Sequence, residues 1–307
     1  LFDADQDPCG LGGNATLADC VATGVPAGLF GSAGLNSPAG QFNFLQGGNP
    51  NLDPEEADTY TVGIVLTPTM LPAFTASIDY YNIEITDRID IVDPNITLDL
   101  CYQSGDQAAC DRIKRSSGGS LWVSNDGFVE GLNTNIGGQA TSGIDFNAAY
   151  AFDLDTMGSF NVNMIGTYLL ENETDPIGLD EEKFDCAGQF AGACGVPQPE
   201  WRHRARVSWE TPYDVTLNGT WRYYGGVDLF NNTADRVDAS FDAENYFDIA
   251  GTYNLFDNTV VRAGINNVLD NDPQLSASVG TTGNGNTYPQ LYDALGRYIF
   301  MGVTVDF

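Results

Sequence analysis

Trp201-Arg202-His203-Arg204-Ala205-Arg206-Val207-Ser208-Trp209-Glu210-Thr211-Pro212-Tyr213-Asp214-Val215-Thr216-Leu217-Asn218-Gly219-Thr220-Trp221-Arg222-Tyr223-Tyr224 carries two interleaved phases on either side of a four-residue turn. One phase reads Trp201, His203, Ala205, Val207, Trp209, then Val215, Leu217, Gly219, Trp221, Tyr223. The other reads Arg202, Arg204, Arg206, Ser208, Glu210, then Thr216, Asn218, Thr220, Arg222, Tyr224. Successive side chains on a strand point to opposite faces, so the stretch is a hairpin with one apolar and one charged face. Thr211-Pro212-Tyr213-Asp214 supplies the turn, with Pro and Asp in their usual roles.

The same design recurs outward from this hairpin. Tyr60 to Leu66 and Phe74 to Tyr80 alternate around a turn at Pro68–Pro72, and Ile144 to Phe152 and Phe160 to Tyr168 around one near Asp155. Phe247 to Leu255 and Val261 to Ile265 flank Phe256-Asp257-Asn258, and a last strand holds Ile299, Met301, Val303, Val305 and Phe307 on one face. The expectation is nine long antiparallel strands.

Composition agrees. The 307 residues include 35 Gly, 17 Phe and 14 Tyr but only two lysines, Lys114 and Lys183, a mix that suits strands and turns. Lys plus Arg number 12 against 42 Asp plus Glu, a formal charge of −30, which excludes a nucleic-acid partner bound through phosphates. No stretch reaches the roughly 18 continuous apolar residues of a membrane helix, but alternating transmembrane strands escape that test. The start, Leu1-Phe2-Asp3-Ala4, lacks a signal-peptide pattern and reads as a point inside a longer chain.

Connection lengths decide between all-β classes. Turns at 67–73, 153–159, 211–214 and 256–258 are short, whereas the alternate connections at 90–128, 171–200, 225–244 and 270–292 are long. Cys9, Cys20, Cys101, Cys110, Cys186 and Cys194 all fall in the long set or in the leader before Asn49. Their close spacing predicts neighbour-paired disulfides in an oxidising compartment; CxxC zinc spacing is absent. A soluble sandwich has no reason for such asymmetry, but an outer-membrane barrel has short periplasmic turns and long outer loops. The expected fold is therefore an all-β, antiparallel transmembrane β-barrel with long disulfide-bearing extracellular loops. Tyr60, Tyr80, Tyr150, Phe152, Trp201, Trp209, Trp221 and Tyr223 would form its interfacial girdles. Residues 1–58 read as a loop region leading into a strand and residues 59–307 as barrel.

Asn49-Pro50-Asn51-Leu52-Asp53-Pro54-Glu55-Glu56-Ala57-Asp58-Thr59-Tyr60-Thr61-Val62-Gly63 resembles the "NPxLxPE…YxxG" entry to a late strand of TonB-dependent outer-membrane receptors. Ser77 to Ile85 resembles the following strand, and Gly264-Ile265-Asn266-Asn267-Val268-Leu269-Asp270 is similar to the penultimate "GxxNLFD", with Val-Leu in place of Leu-Phe. Gly296-Arg297-Tyr298 through Phe307 resembles the last strand. The resemblance implies a barrel of about 22 strands with a plugged lumen, this chain supplying the last nine. The family's N-terminal plug and TonB-binding box are absent from it. It also implies uptake of a ferric chelate or oligosaccharide, energised by the TonB complex through the missing plug. The barrel-assembly machinery would read Phe307, and outer-membrane lipid and lipopolysaccharide would surround the wall.

Arg202, Arg204, Arg206, Arg222 and Arg262 fall on the polar phase and are expected in the lumen, paired with acids there or on the plug, because charge facing lipid costs about 2–4 kcal/mol at mid-membrane. Tyr102, Trp122, Phe128, Tyr288 and Tyr292 are candidate ligand contacts in the long loops, aromatic faces suiting sugars and planar chelates. Asp180-Glu181-Glu182 and Asp270-Asn271-Asp272 lack calcium-loop spacing, so no metal or other cofactor is expected. GxSxG, HExxH and P-loop patterns are missing and His203 lies on the apolar phase, so no enzyme is read. The rival readings are a passive diffusion porin and a secreted acidic β-protein that binds glycan or cations.

Overall fold

Each stretch of alternating phase is a strand in the computed structural model, which describes residues 1–4, 6–176, 183–232, 235–277 and 284–307. The strands are β1 (Glu56–Leu66), β2 (Phe74–Thr86), β3 (Gly138–Asp153), β4 (Ser159–Asp175), β5 (Trp201–Glu210), β6 (Val215–Tyr224), β7 (Glu244–Phe256), β8 (Thr259–Asn266) and β9 (Tyr298–Val305). They pair in chain order in one sheet, and Phe184–Asp185 adds a short strand beside β4. The sheet is open: among the described residues, β1 and β9 each pair on one side only.

The apolar phase is uncovered. Met301 is 74% exposed, Val62 69% and Ile249 54%, and Val207, Leu217 and Phe247 continue the same face. In a soluble sandwich this phase would be the buried core between two sheets. A continuous exposed apolar face instead calls for a hydrocarbon surround.

The chain divides into two compact units. The first comprises Leu1–Glu56 and Ile85–Gly138, with Asp175–Glu182, of which residues 177–182 are not among those described. The readings placed on Asp180-Glu181-Glu182 thus lie outside the described residues. This unit contains helices that the strand-based reading did not anticipate: α1 (Leu17–Ala22), α2 (Pro94–Ser104) and α3 (Gln107–Cys110). Local chemistry sets their limits. Thr16, Asp93 and Asp106 accept from backbone N–H groups at the three N-termini, Pro94 opens α2, and Gly105 ends it in the left-handed region at φ 69°. Phe2, Leu35, Phe42, Leu98, Leu121 and Val129 form the core around Cys9–Cys20 and beside Cys101–Cys110.

The second unit comprises Ala57–Glu84, Gln139–Thr174 and Lys183–Phe307. Besides most of the sheet it holds a small loop core. Gln189–Phe190 runs parallel to Val227–Leu229, which pairs antiparallel with Ser240–Phe241. Phe190, Val227, Phe241, Tyr246, Tyr288 and Tyr292 pack there, near the Cys186–Cys194 bridge. All three disulfides join the neighbours that the spacing predicts.

Candidate functional site

Alternation on β5 and β6 puts four arginines on one face, with Arg204 directly opposite Arg222. Like charges so placed repel, and the sheet answers for one of them. Arg222 donates Nε and Nη2 to Asp248 (2.9 and 3.1 Å) and Nη1 and Nη2 to Asp293 (2.9 and 2.6 Å), while its guanidinium lies 4.9 Å from the Tyr246 ring centre. Two bidentate carboxylates occupy the fork, so Arg222 joins β6, β7 and the loop before β9. Arg262 stacks on Phe300 at 5.2 Å.

Arg202, Arg204 and Arg206 differ. Among the described residues none of them forms an ion pair, and Arg206 only reaches the Thr220 hydroxyl at 3.4 Å. Arg202 and Arg204 line a recess of about 470 Å³ on the polar face of β2 to β6, opposite Asp79 and Asp145, with Ile165 and Thr167 of β4 between the two walls. The Thr167 hydroxyl donates to Asp145 at 2.7 Å. Gly63 makes room for Asp79, because a Cβ there would collide with the Asp79 carboxylate. Asp79 and Asp145 were legible as polar-phase acids, but only strand register shows that they face arginines.

The penultimate-strand motif has a structural role. Asn267, fully buried, donates its N–H to Asp248 and exchanges two hydrogen bonds with the Asn271 backbone, each at 2.9 Å. It therefore braces the carboxylate that holds Arg222. Asp270 accepts from the Arg297 backbone N–H at 2.8 Å and faces its guanidinium at 3.9 Å.

Two of the aromatic clusters lie on the apolar phase of the sheet. Phe152, Phe160 and Trp209 stack at 5.3 and 5.5 Å near the short turns. Trp201, His203, Trp221, Tyr223 and Phe247 cluster toward the long loops, where the Trp201 indole donates to His203 Nδ1 at 3.0 Å. Trp201 and Trp209 lie eight residues apart on β5. That is about 27 Å along the strand, or about 21 Å across a membrane at the usual tilt of about 40°. The apolar phase between the clusters is thus somewhat shorter than the apolar band of about 25 Å in outer-membrane barrels.

In the loops, Tyr102, Tyr288 and Tyr292 are buried, whereas Trp122 and Phe128 are half-buried. The Tyr102 hydroxyl lies 2.8 Å from Thr23 and accepts from Arg115 at 3.0 Å. Burial pushes the Tyr292 hydroxyl well above its ordinary value, and the Glu244 charge adds to this. Sequence reading missed Arg115 and Asp7, a pair with both side chains at 0% exposure. Burial opposes the Arg115 charge, but Asp7 and Tyr102 together outweigh it and the net shift is upward. Phe307 lies exposed beyond β9. Among the described residues no cluster of His, Cys, Asp or Glu could hold a metal ion.

The family model described as TonB dependent receptor-like, beta-barrel matches residues 21–268. No curated protein matches the sequence. Among solved structures, a variant of the ferric enterobactin receptor PfeA of Pseudomonas aeruginosa in complex with enterobactin is similar, with a TM-score of 0.56 at 15% identity over 85% of this chain and 33% of that one. The FrpB iron transporter of Neisseria meningitidis gives 0.53 at 12% identity, and the siderophore receptor PirA of Acinetobacter baumannii 0.54 at 12%, each over 85% of this chain and 33% of the other. The chain spans about a third of the length of these structures, and at such identities the likeness is one of fold.

Proposed function

We propose, since the chain belongs to the TonB-dependent receptor β-barrel family, that it forms part of the wall of an outer-membrane transporter taking up a scarce external ligand with energy delivered through TonB. The observation that supports this best is the sheet's division into an exposed apolar phase and a charged phase bearing Arg202, Arg204, Arg206, Arg222 and Arg262. The first phase meets lipid and the second lines the lumen. Short turns face the periplasm, long loops face outward, and lipopolysaccharide surrounds the loop-end girdle. Trp122 and Phe128 keep exposed area for a ligand, while the buried tyrosines hold the loops in shape. Phe307 is the residue for the barrel-assembly machinery to recognise.

The test is uptake by cells carrying the intact receptor, with radiolabelled ferric chelates, suggested by the similarity to a ferric enterobactin receptor, compared with labelled oligosaccharides. Uptake of one class that stops when the proton gradient is collapsed is the expected result. Uptake indifferent to the gradient would make the barrel a diffusion pore and refute the proposal.

A further inference from the structure

The last strand has no tight turn to set its register. β8 and β9 are joined through residues 267–297, whereas in a hairpin the turn fixes which residues face each other. Alternation excludes a slip of one residue, which would carry Ile299, Met301, Val303 and Val305 to the polar face. It does not exclude a slip of two. Val261, Ala263 and Ile265 would then still stand beside apolar residues of β9, so contacts other than the pattern choose between the offsets.

Two contacts make that choice. Phe300 stands opposite Gly264 and its ring fills the space over the glycine, where a Cβ would lie 2.6 Å from Phe300 Cζ. Arg262 lies against the same ring, its guanidinium 5.2 Å from the centre. A two-residue slip would carry the ring onto Asn266 or Arg262, where a side chain already stands. An aromatic side chain laid over a glycine of the neighbouring strand pins register for this reason. At the loop end, Asp270 Oδ1 accepts from the Arg297 N–H at 2.8 Å, and Arg297 Nε donates to the Val268 carbonyl at 3.0 Å. The long connection is thereby closed beside its first ladder pair, Asn266 and Tyr298, as a tight turn would close it. Every atom in these contacts belongs to β8, β9 and their connection, so they are complete without anything the lumen holds. We infer that Phe300 on Gly264 and the Asp270–Arg297 clamp together set the register of β9. They thereby set the offset at which its free edge meets the strand that completes the wall. Stagger and barrel size are linked, so an error of two residues there would change the barrel. This role goes beyond the uptake reading and needs from it only that the sheet belong to a closed wall.

Cysteine cross-linking in the intact receptor reads the register directly. All six native cysteines are in disulfides, so new pairs can be placed on the apolar phase. Ala263→Cys with Met301→Cys reports the observed register, and Ala263→Cys with Ile299→Cys or Val303→Cys the two slips. Receptor assembled in cells is oxidised with copper phenanthroline, and cross-linked peptides are counted by mass spectrometry. The 263–301 pair should exceed either slipped pair by about tenfold, the factor that two contacts of ordinary strength produce together. Adding Asp270→Ala and Phe300→Ala should lower this ratio to about threefold or less. Adding instead Asp270→Ala, Phe300→Gly and Gly302→Phe moves the ring by two positions and should pass the preference to the 263–303 pair. Lost stability alone would lower all yields without moving the preference. If a combined variant does not assemble, Asp270→Asn and Phe300→Leu decide singly, each expected to reduce the ratio by about half or more. An unchanged ratio in these variants, or dominance of the 263–301 pair after the ring is moved, would overturn the inference. Transport enters none of these measurements, so that failure leaves the uptake reading standing. Folded receptor recovered from the aqueous fraction without detergent would instead refute the wall and the uptake reading together.

Discussion

Replacing Arg115 with Met should open the first unit without disturbing the sheet. Arg115 donates to both Asp7 oxygens at 2.7 and 2.8 Å, to the Gly119 carbonyl at 2.7 Å and to the Tyr102 hydroxyl at 3.0 Å. Both ionic side chains are fully inaccessible, so no solvent screening softens the loss. Removing one partner of a buried pair strands the other, at a cost of about 3–5 kcal/mol. With one decade per roughly 1.4 kcal/mol, local opening becomes about 100- to 4000-fold more populated. Native-state hydrogen exchange measures this directly, best at the Cys9 amide, which donates to Asp7 Oδ1 at 2.8 Å. Amides of β5 to β7 serve as the control. The double variant Asp7→Asn/Arg115→Met should recover most of the loss, since no charge is then left buried and a side-chain oxygen at position 7 still accepts from the Cys9 N–H. An increase below tenfold, or a double variant no better than the single one, would refute the stranded-charge argument.

Other perturbations test the two faces and the loops. Met301→Arg puts a charge on the apolar phase and should cost about 2–4 kcal/mol near mid-membrane, whereas Thr304→Arg on the polar phase should cost much less; urea unfolding in lipid vesicles compares them, and equal costs would contradict the assignment. Ala191 has φ 61° and ψ −177°, a backbone region nearly confined to glycine. Ala191→Gly should therefore raise exchange protection around Cys186–Cys194, with relief of about 1–3 kcal/mol reduced by the about 0.5–1 kcal/mol that glycine loses on ordering; lower protection would show that the strain is not real. The Arg236 hydrogen bond, helped by the Ala277 N–H and Ser276 hydroxyl and opposed by burial, holds the Asp238 carboxyl well below the usual carboxylate range. A depressed folded value stabilises above the unfolded one, about 3.9, and the contribution fades as pH falls through the folded value. Protection of the Ala277 amide, 2.9 Å from Asp238, should hold from pH 7 to 5 and drop below about pH 4, and Asp238→Asn should flatten the profile. A drop near pH 6 would assign it to another group.

The strands, their phases and the unequal ends were legible in the sequence because strand periodicity is local: two neighbouring residues already declare opposite faces. The hairpin from Trp201 to Tyr224 thus contains its own turn, register and apolar face. Disulfide partners were legible for a related reason, since closing the shorter loop costs less entropy.

What only the tertiary structure decided lies across long separations. Asp7 and Arg115 meet over 108 positions, and Arg222 and Asp293 over 71. Nothing in alternation ranks one acid over another as partner for a given arginine. Tyr102, Tyr288 and Tyr292 look like open aromatic loop residues in sequence, yet each is buried in a small core whose other side chains come from distant segments. The charge-separated recess is likewise a product of register. Asp145, Thr167 and Arg202 come together only because β3, β4 and β5 pair as they do, and pairing depends on the whole sheet.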